Sequence, residues 1–291
     1  MNNSVKRYFP IFVLPTLIAF LIAFVIPFVL GLFLSFTEFR TVSDASFVGF
    51  SNYIRAFSED NSFLTALWFT VRFAVMSVIS INVIAFLLAL MLTRTVPGTK
   101  FFRTVFFMPN LIGGIVLGYI WSMIFDGILS KFGTSILLNT KLGFWGLIIL
   151  LCWQQIGYMM IIYIAGLQSV PGDMLEAAEI DGASKIQTLF RVIIPNVMPS
   201  VTICTFLSLT NGFKLFDQNL ALTAGQPFVI QPDGSTIKTT EMLALNIYNT
   251  FYGQNIAAQG TAQAKAVLFF ILVAGLGLLQ LAYTRKREVQ Q

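Results

Sequence analysis

Six stretches of this chain are each long and apolar enough to cross a hydrocarbon core, and that repetition constrains the fold more than any motif. A crossing takes about 20 residues at about 1.5 Å rise each. The runs lie at 9–36, 63–92, 104–125, 142–165, 198–222 and 262–283. A lone segment in lipid must satisfy its own backbone hydrogen bonds, so all six are expected to be helices of one all-α membrane protein. Composition agrees, with 56% of the 291 residues hydrophobic and 11% charged, against about a quarter charged in soluble domains. The first run follows Lys6 and Arg7 as a signal peptide would. It is about twice the length of a signal core and lacks a following small-residue cleavage site, so it is expected to be a retained anchor.

Charge sets the expected topology. Lys6, Arg7, Arg94, Lys100, Arg103, Lys185, Arg191, Arg285, Lys286 and Arg287 fall on one side of the six runs. Arg40, Arg55, Lys131, Lys141 and Lys238 fall on the other. The positive-inside rule then places both termini in the cytoplasm. The formal net charge of +5 reflects this asymmetry, and no nucleic-acid partner is expected. With no His and two Cys, the imidazole bases and Cys/His zinc sites of most hydrolases and metalloenzymes are unavailable. Cys152 and Cys204 sit in different apolar runs and read as free, small apolar side chains.

Residues 1–62 are expected to form an N-terminal membrane helix and first outer loop, and residues 63–291 the main transmembrane domain. In the last outer loop, 228–231 and 236–239 flank Pro232-Asp233-Gly234-Ser235, a hairpin pattern, before a short helical pattern at 241–251.

Between the fourth and fifth runs, Pro171 and Asp173 suit a helix start, Glu176-Ala177-Ala178-Glu179 is strongly helix-forming, and Gly182 is placed to end the helix. Small Ala side chains allow close approach of another surface, while Glu176, Glu179 and Asp181 offer anchors for cations. A solvated interfacial helix would read the same way on chemistry alone. The spacing adds more: Glu176-Ala177-Ala178, three residues, Gly182, nine residues, then Val192-Ile193-Ile194-Pro195. It resembles the EAA signature of bacterial ABC importer permeases, with Val192 and Ile194 as conservative departures.

The resemblance extends over nearly the whole chain, toward the maltose-type carbohydrate-uptake branch. It is carried by 47–53 (Phe-Val-Gly-Phe-Ser-Asn-Tyr), Phe106-Phe107-Met108-Pro109 and 176–183, while Phe216-Asp217-Gln218 and 222–227 resemble the half corresponding to the larger maltose permease subunit; with six spans the chain is closer to the compact oligosaccharide permeases. Unlike that subunit, this chain has no large outer domain, and Ala224 and Gln226 interrupt the usual Gly-Gly-Pro. The resemblance implies a type I importer permease fold in the bacterial cytoplasmic membrane, with a coupling helix near 170–184 docking on an ATP-binding subunit. It also implies a second homologous permease chain, two ATP-binding subunits that hold ATP and Mg, and an extracellular sugar-binding protein. No cofactor is expected in this chain, which lacks a phosphate-cradling Gly-rich loop.

Polar side chains at membrane depth normally face a bundle interior or cavity. Counting along the fourth and fifth runs, Gln154 and Tyr158 (i, i+4) and Ser208, Asn211, Gly212 and Leu215 on one face reach comparable depth. These faces suit a sugar, which takes amide and hydroxyl hydrogen bonds with aromatic surface. Tyr158 and Ser208 match sugar-lining positions of the resembling maltose subunit; Asn211, Gly212 and Leu215 fall at other such positions with different residue types. Helix packing by small or polar residues is the competing explanation for each. Lys214 and Asp217 (i, i+3) read as an ion pair at the membrane edge, and Arg72 and Lys265 as side chains snorkelling near outer ends. Asn82 has no role in these patterns. The rival function, an ion-coupled secondary transporter, calls for inverted repeats or midplane carboxylates, for which only Asp217 is a candidate.

Overall fold

A computed structural model describes residues 3–58, 61–93, 97–232, 234–253 and 258–286; Arg94, Asp233 and Arg287 lie outside the described residues. Along the chain the elements are α1 (Asn3–Phe20), a π-helical turn (Leu21–Val25), α2 (Ile26–Leu34), β1 (Thr37–Glu38), β2 (Ser46–Phe47), α3 (Ser51–Ser58), α4 (Asn61–Thr93), α5 (Thr99–Phe107), α6 (Gly114–Leu129) and α7 (Thr140–Gln168). There follow α8 (Gly172–Ile180), α9 (Lys185–Thr188), a second π-helical turn (Leu189–Ile193), α10 (Ile194–Phe213), α11 (Asp217–Leu222), β3 (Phe228–Ile230), β4 (Thr236–Lys238), α12 (Leu243–Phe251) and α13 (Ala258–Arg285).

Six helical segments are long and apolar enough to span: Ile11–Leu34, Asn61–Thr93, Gly114–Phe132, Thr140–Gln168, Lys185–Phe213 and Ala258–Arg285. Two of them contain wide π-helical turns, and each turn ends two residues before a proline, Pro27 or Pro195. Proline has no N–H to give the carbonyl four residues back, and the wider turn re-registers the ladder so the helix continues in lipid.

Two expected spans break. The run 104–125 is interrupted by a 3₁₀ turn at Met108–Leu111 and extended backbone at Ile112 and Gly113; the spanning helix starts at Gly114, and α5 is separate. Pro109, which is buried, cannot continue α5. The run 198–222 likewise is not one helix: α10 stops at Phe213, and α11 starts at Asp217. Tertiary contacts override the apolar pattern there. Asn219 donates from Nδ2 to the Thr240 carbonyl at 2.8 Å and accepts the Met242 N–H at 3.0 Å, latching α11 to the segment before α12. On its other side α11 packs so closely on α6 that a Cβ on Gly118 would lie 2.6 Å from the Ala221 Cβ.

The chain divides into two compact units. The first comprises Met1–Asp60 and Ile247–Phe270. The loop after α2 is tied by the buried Asn52, which donates to the Ser35 and Thr37 carbonyls at 3.0 and 2.8 Å. Lys265 does not snorkel. It is fully buried, and its Nζ donates to the Thr250 hydroxyl at 2.8 Å, because the end of α12 supplies a polar partner where open headgroups were expected. Arg72 is exposed, as expected, with its guanidinium 5.6 Å from the Trp68 ring centre.

The second unit comprises Asn61–Asn246 and Ile271–Gln291 and contains the main core, built on α4, α7 and α10. The most apolar stretch of α7 is 61% buried, against 28% in α4 and 22% in the Lys185–Phe213 span, so α7 is the central helix. Gly157 makes this possible: a Cβ there would overlap the Phe106 carbonyl oxygen, so α7 and the end of α5 touch backbone to backbone. Arg103 reaches from α5 to donate to the Leu92 carbonyl at 2.8 Å, capping one of the orphan carbonyls at the end of α4.

Candidate coupling surface and transport path

α8 lies in the connection between α7 and α10 and is bounded as its residues dictate. Pro171 is extended at the N-cap and Asp173 sits in the first turn. The helix closes on Gly182, at φ +75°, with the Gly182 N–H donating to the Glu179 carbonyl and the Ala183 N–H to the Ala178 carbonyl. Only glycine enters this left-handed conformation without cost. Ala178 turns inward, whereas Glu176, Ala177, Glu179, Asp181 and Gly182 are exposed. A Cβ on Gly182 would meet nothing within 4 Å, so its open side is available to another chain. Beside the carboxylates, Ile180 and Ile186 stand 85% and 70% exposed.

The residues expected to line a path fall into three settings. Gln154 is buried; its Nε2 donates to the Ile112 carbonyl at 3.2 Å, and its Oε1 accepts from Gln218 Nε2 at 2.7 Å. Asn211 is half-buried and donates to Gln155 Oε1 at 3.2 Å, while half-buried Tyr158 tilts against the Phe107 ring at 6.5 Å between centres. These residues form a polar strip along α7, α10 and α11. Ser208, Gly212 and Leu215 lie instead on the enclosed side. The Ser208 hydroxyl donates to the Cys204 carbonyl at 2.7 Å and accepts from Asn82 Nδ2 at 2.8 Å. Gly212 lets α10 meet α4, since a Cβ would lie 2.9 Å from Ser77 Oγ, and Leu215 packs into the core. Among the described residues, Ser208 makes no hydrogen bond to Gln154, Tyr158 or Asn211.

Lys214 and Asp217 do not pair. Ion pairs among the described residues include Arg55 with Glu38 and Lys238 with Glu241, and none joins Lys214 to Asp217. The break after Phe213 leaves Lys214 exposed as the cap of α10 and Asp217 as the first residue of α11, so helical i, i+3 spacing no longer applies.

Sequence reasoning missed Asn82, Tyr163, Gln155 and Gln218. Asn82 bridges three helices, donating to Ser208 and accepting the Tyr163 hydroxyl at 2.7 Å. An amide in the middle of a 33-residue apolar helix is itself a signal, because an unmatched polar group is costly at that depth. Gln155 could have been found beside Gln154; Gln218 could not, because its position depends on the helix break.

Residues 81–288 match the family model described as "Binding-protein-dependent transport system inner membrane component". The chain is 40% identical over 288 residues to a probable starch degradation products transport system permease protein of Thermoanaerobacterium thermosulfurigenes, covering 96% of this chain and 94% of that one. It is 31% identical over 269 residues, 89% of each chain, to a multiple sugar-binding transport system permease protein of Streptococcus mutans. It superposes with a TM-score of 0.78 on a chain of a bacterial ABC transporter involved in the import of the acidic polysaccharide alginate, at 21% identity and 97% coverage of both. That likeness establishes a shared fold. The chain belongs to the family of binding-protein-dependent transport system inner-membrane components.

Proposed function

We propose that this chain forms one half of the translocation path of an ATP-driven oligosaccharide importer in the bacterial cytoplasmic membrane, both termini and α8 facing the cytoplasm. The observation that carries this reading is the placement of α8 in the connection between α7 and α10, two helices that bear the polar strip. Tyr158 lies about 15 Å up α7 from Gln168, and Asn211 about 25 Å up α10 from Ile194, at 1.5 Å per residue. An ATP-binding subunit gripping Glu176 to Gly182 would pull both helices at once, so closure around nucleotide would be transmitted to the strip. ATP and Mg belong to those partner subunits, and a second homologous permease chain and an extracellular sugar-binding protein complete the machine. The sugar class rests on the two relatives, whose names concern starch degradation products and multiple sugars. Gln155, Tyr158, Asn211 and Gln218 offer uncharged donors and acceptors with one aromatic face, suited to hydroxyl-rich cargo, and buried Gln154 holds Gln218 in place.

The test is uptake of labelled maltooligosaccharides into proteoliposomes holding the complete transporter, with the binding protein on one side and ATP on the other. Uptake should require both. Uptake driven by an ion gradient without ATP would overturn the proposal in favour of a secondary transporter.

A further inference from the structure

At the end of the bundle away from α8, α4 and α7 enclose an open groove of about 500 Å³, within the roughly 300–1,000 Å³ range of small-ligand sites. Its walls include Val75 and Phe144, its rim Trp68 and Trp145, and two cations, Arg72 and Lys141, lie in it. The groove runs into two exposed apolar stripes at helical spacing. On α4 this stripe is Trp68, Val75, Ile79 and Val83; on α7 it is Trp145, Ile149 and Trp153. Each stripe carries one cation, at the same end. Lys141 is the second residue of α7, and Arg72 lies about 16 Å along α4 from Asn61. Because α4 is about 50 Å long against a hydrocarbon core of about 30 Å, its first turns project beyond the core. The Arg72 side chain therefore reaches the headgroup boundary, where Trp68 and Trp145, 61% and 49% exposed, also belong.

Neither cation forms an ion pair among the described residues. Instead the Arg72 guanidinium lies over the Trp68 ring, its fork held beside the groove. Two cations above an apolar furrow with interfacial tryptophans complement an anionic headgroup with acyl chains below it. We propose that this groove is a binding site for an anionic phospholipid of the leaflet opposite α8, the outer leaflet in the topology proposed above. Its phosphate is held by Arg72 and Lys141, and its chains lie along Val75, Ile79 and Ile149.

The test uses the complete purified transporter, extracted from nanodiscs of mixed phosphatidylglycerol and phosphatidylethanolamine, with retained lipid counted by native mass spectrometry. Wild type should keep phosphatidylglycerol. The Arg72→Gln/Lys141→Gln double variant should keep roughly thirtyfold less, as two juxtamembrane charges imply, while Arg72→Lys and the off-groove Lys131→Gln should stay close to wild type. Undiminished retention in the double variant would overturn the proposal. So would displacement by excess inorganic phosphate, which would mark an anion site indifferent to lipid. Should the double variant fail to assemble, quenching of wild-type tryptophan fluorescence by brominated lipids decides. Three of the four tryptophans, Trp68, Trp145 and Trp153, lie on these stripes. Brominated phosphatidylglycerol should quench more strongly than brominated phosphatidylethanolamine, and equal quenching overturns the assignment. Disulfide capture of Trp145→Cys by a second permease chain would also overturn it, by showing protein in the groove. None of these readouts uses sugar or ATP, so the lipid site and the transport reading stand or fall separately.

Discussion

Asn82 on α4 and Ser208 on α10, 126 positions apart, are joined by a 2.8 Å hydrogen bond across the bundle, and the other end of the Asn82 amide accepts the Tyr163 hydroxyl from α7. One side chain thus ties together the three core helices. Asn82→Leu would leave Ser208 and Tyr163 without this partner. Thermal unfolding of the assembled transporter in detergent should reveal a loss of about 1–3 kcal/mol by the general cost of an unmatched buried group. Bonds between membrane helices average about 0.6 kcal/mol, so the lower end is expected if water reaches the vacated site. Ser208→Ala removes one bond only and should cost less than Asn82→Leu; the reverse order would contradict the network.

Gly157 is the point where α7 touches the backbone at Phe106. Gly157→Ala should displace the end of α5 and lower stability by about 1–3 kcal/mol through overpacking. Gly172→Ala, where an added Cβ meets nothing within 4 Å, is the matched control and should unfold at the wild-type temperature.

The polar strip makes a directional prediction. Tyr158→Ala and Asn211→Leu should reduce labelled-oligosaccharide uptake at equal membrane expression while leaving basal ATPase intact, because neither residue adjoins α8. Losing one hydrogen bond to cargo, at about 1–3 kcal/mol, corresponds to roughly a fivefold to hundredfold fall. Lys214→Ala alters an exposed helix cap outside the strip and should leave uptake near wild type. A larger loss there than in the first two would move the path toward Lys214 and Asp217.

Cys152 and Cys204 are both free and buried, and the Cys204 thiol lies 3.7 Å from the Met159 carbonyl. Thiol titration should find two groups in denatured protein and slow modification in folded protein. Fewer than two under non-oxidising conditions would contradict the structure.

What could be read from the residues alone was whatever depends on a continuous local pattern. Spans four and six run close to their expected bounds because uninterrupted apolar stretches of that length have no other stable form in lipid. The end of α8 follows from Gly182, whose conformation is a property of one residue. The break in 104–125 was half visible, in Pro109. The break after Phe213 was not: it follows from Asn219 reaching Thr240 and Met242, and from Gly118 admitting Ala221. The same limit hid the partners of the path residues. Ser208 meets Asn82, and Lys265 meets Thr250, only once distant segments are brought together, and burial by a partner is not encoded in the periodicity of either segment.

If motion at α8 is coupled to the path, binding-protein-stimulated ATPase activity of the complete transporter in nanodiscs reads that coupling. Gly182→Asn tolerates the left-handed turn at φ +75° and should retain part of the stimulation, whereas Gly182→Trp fills the open side and Glu176→Lys reverses an exposed charge. Both of the latter should abolish stimulation and uptake with normal insertion of the permease chain. Wild-type stimulation in Glu176→Lys and Gly182→Trp together would contradict the docking of an ATPase on α8.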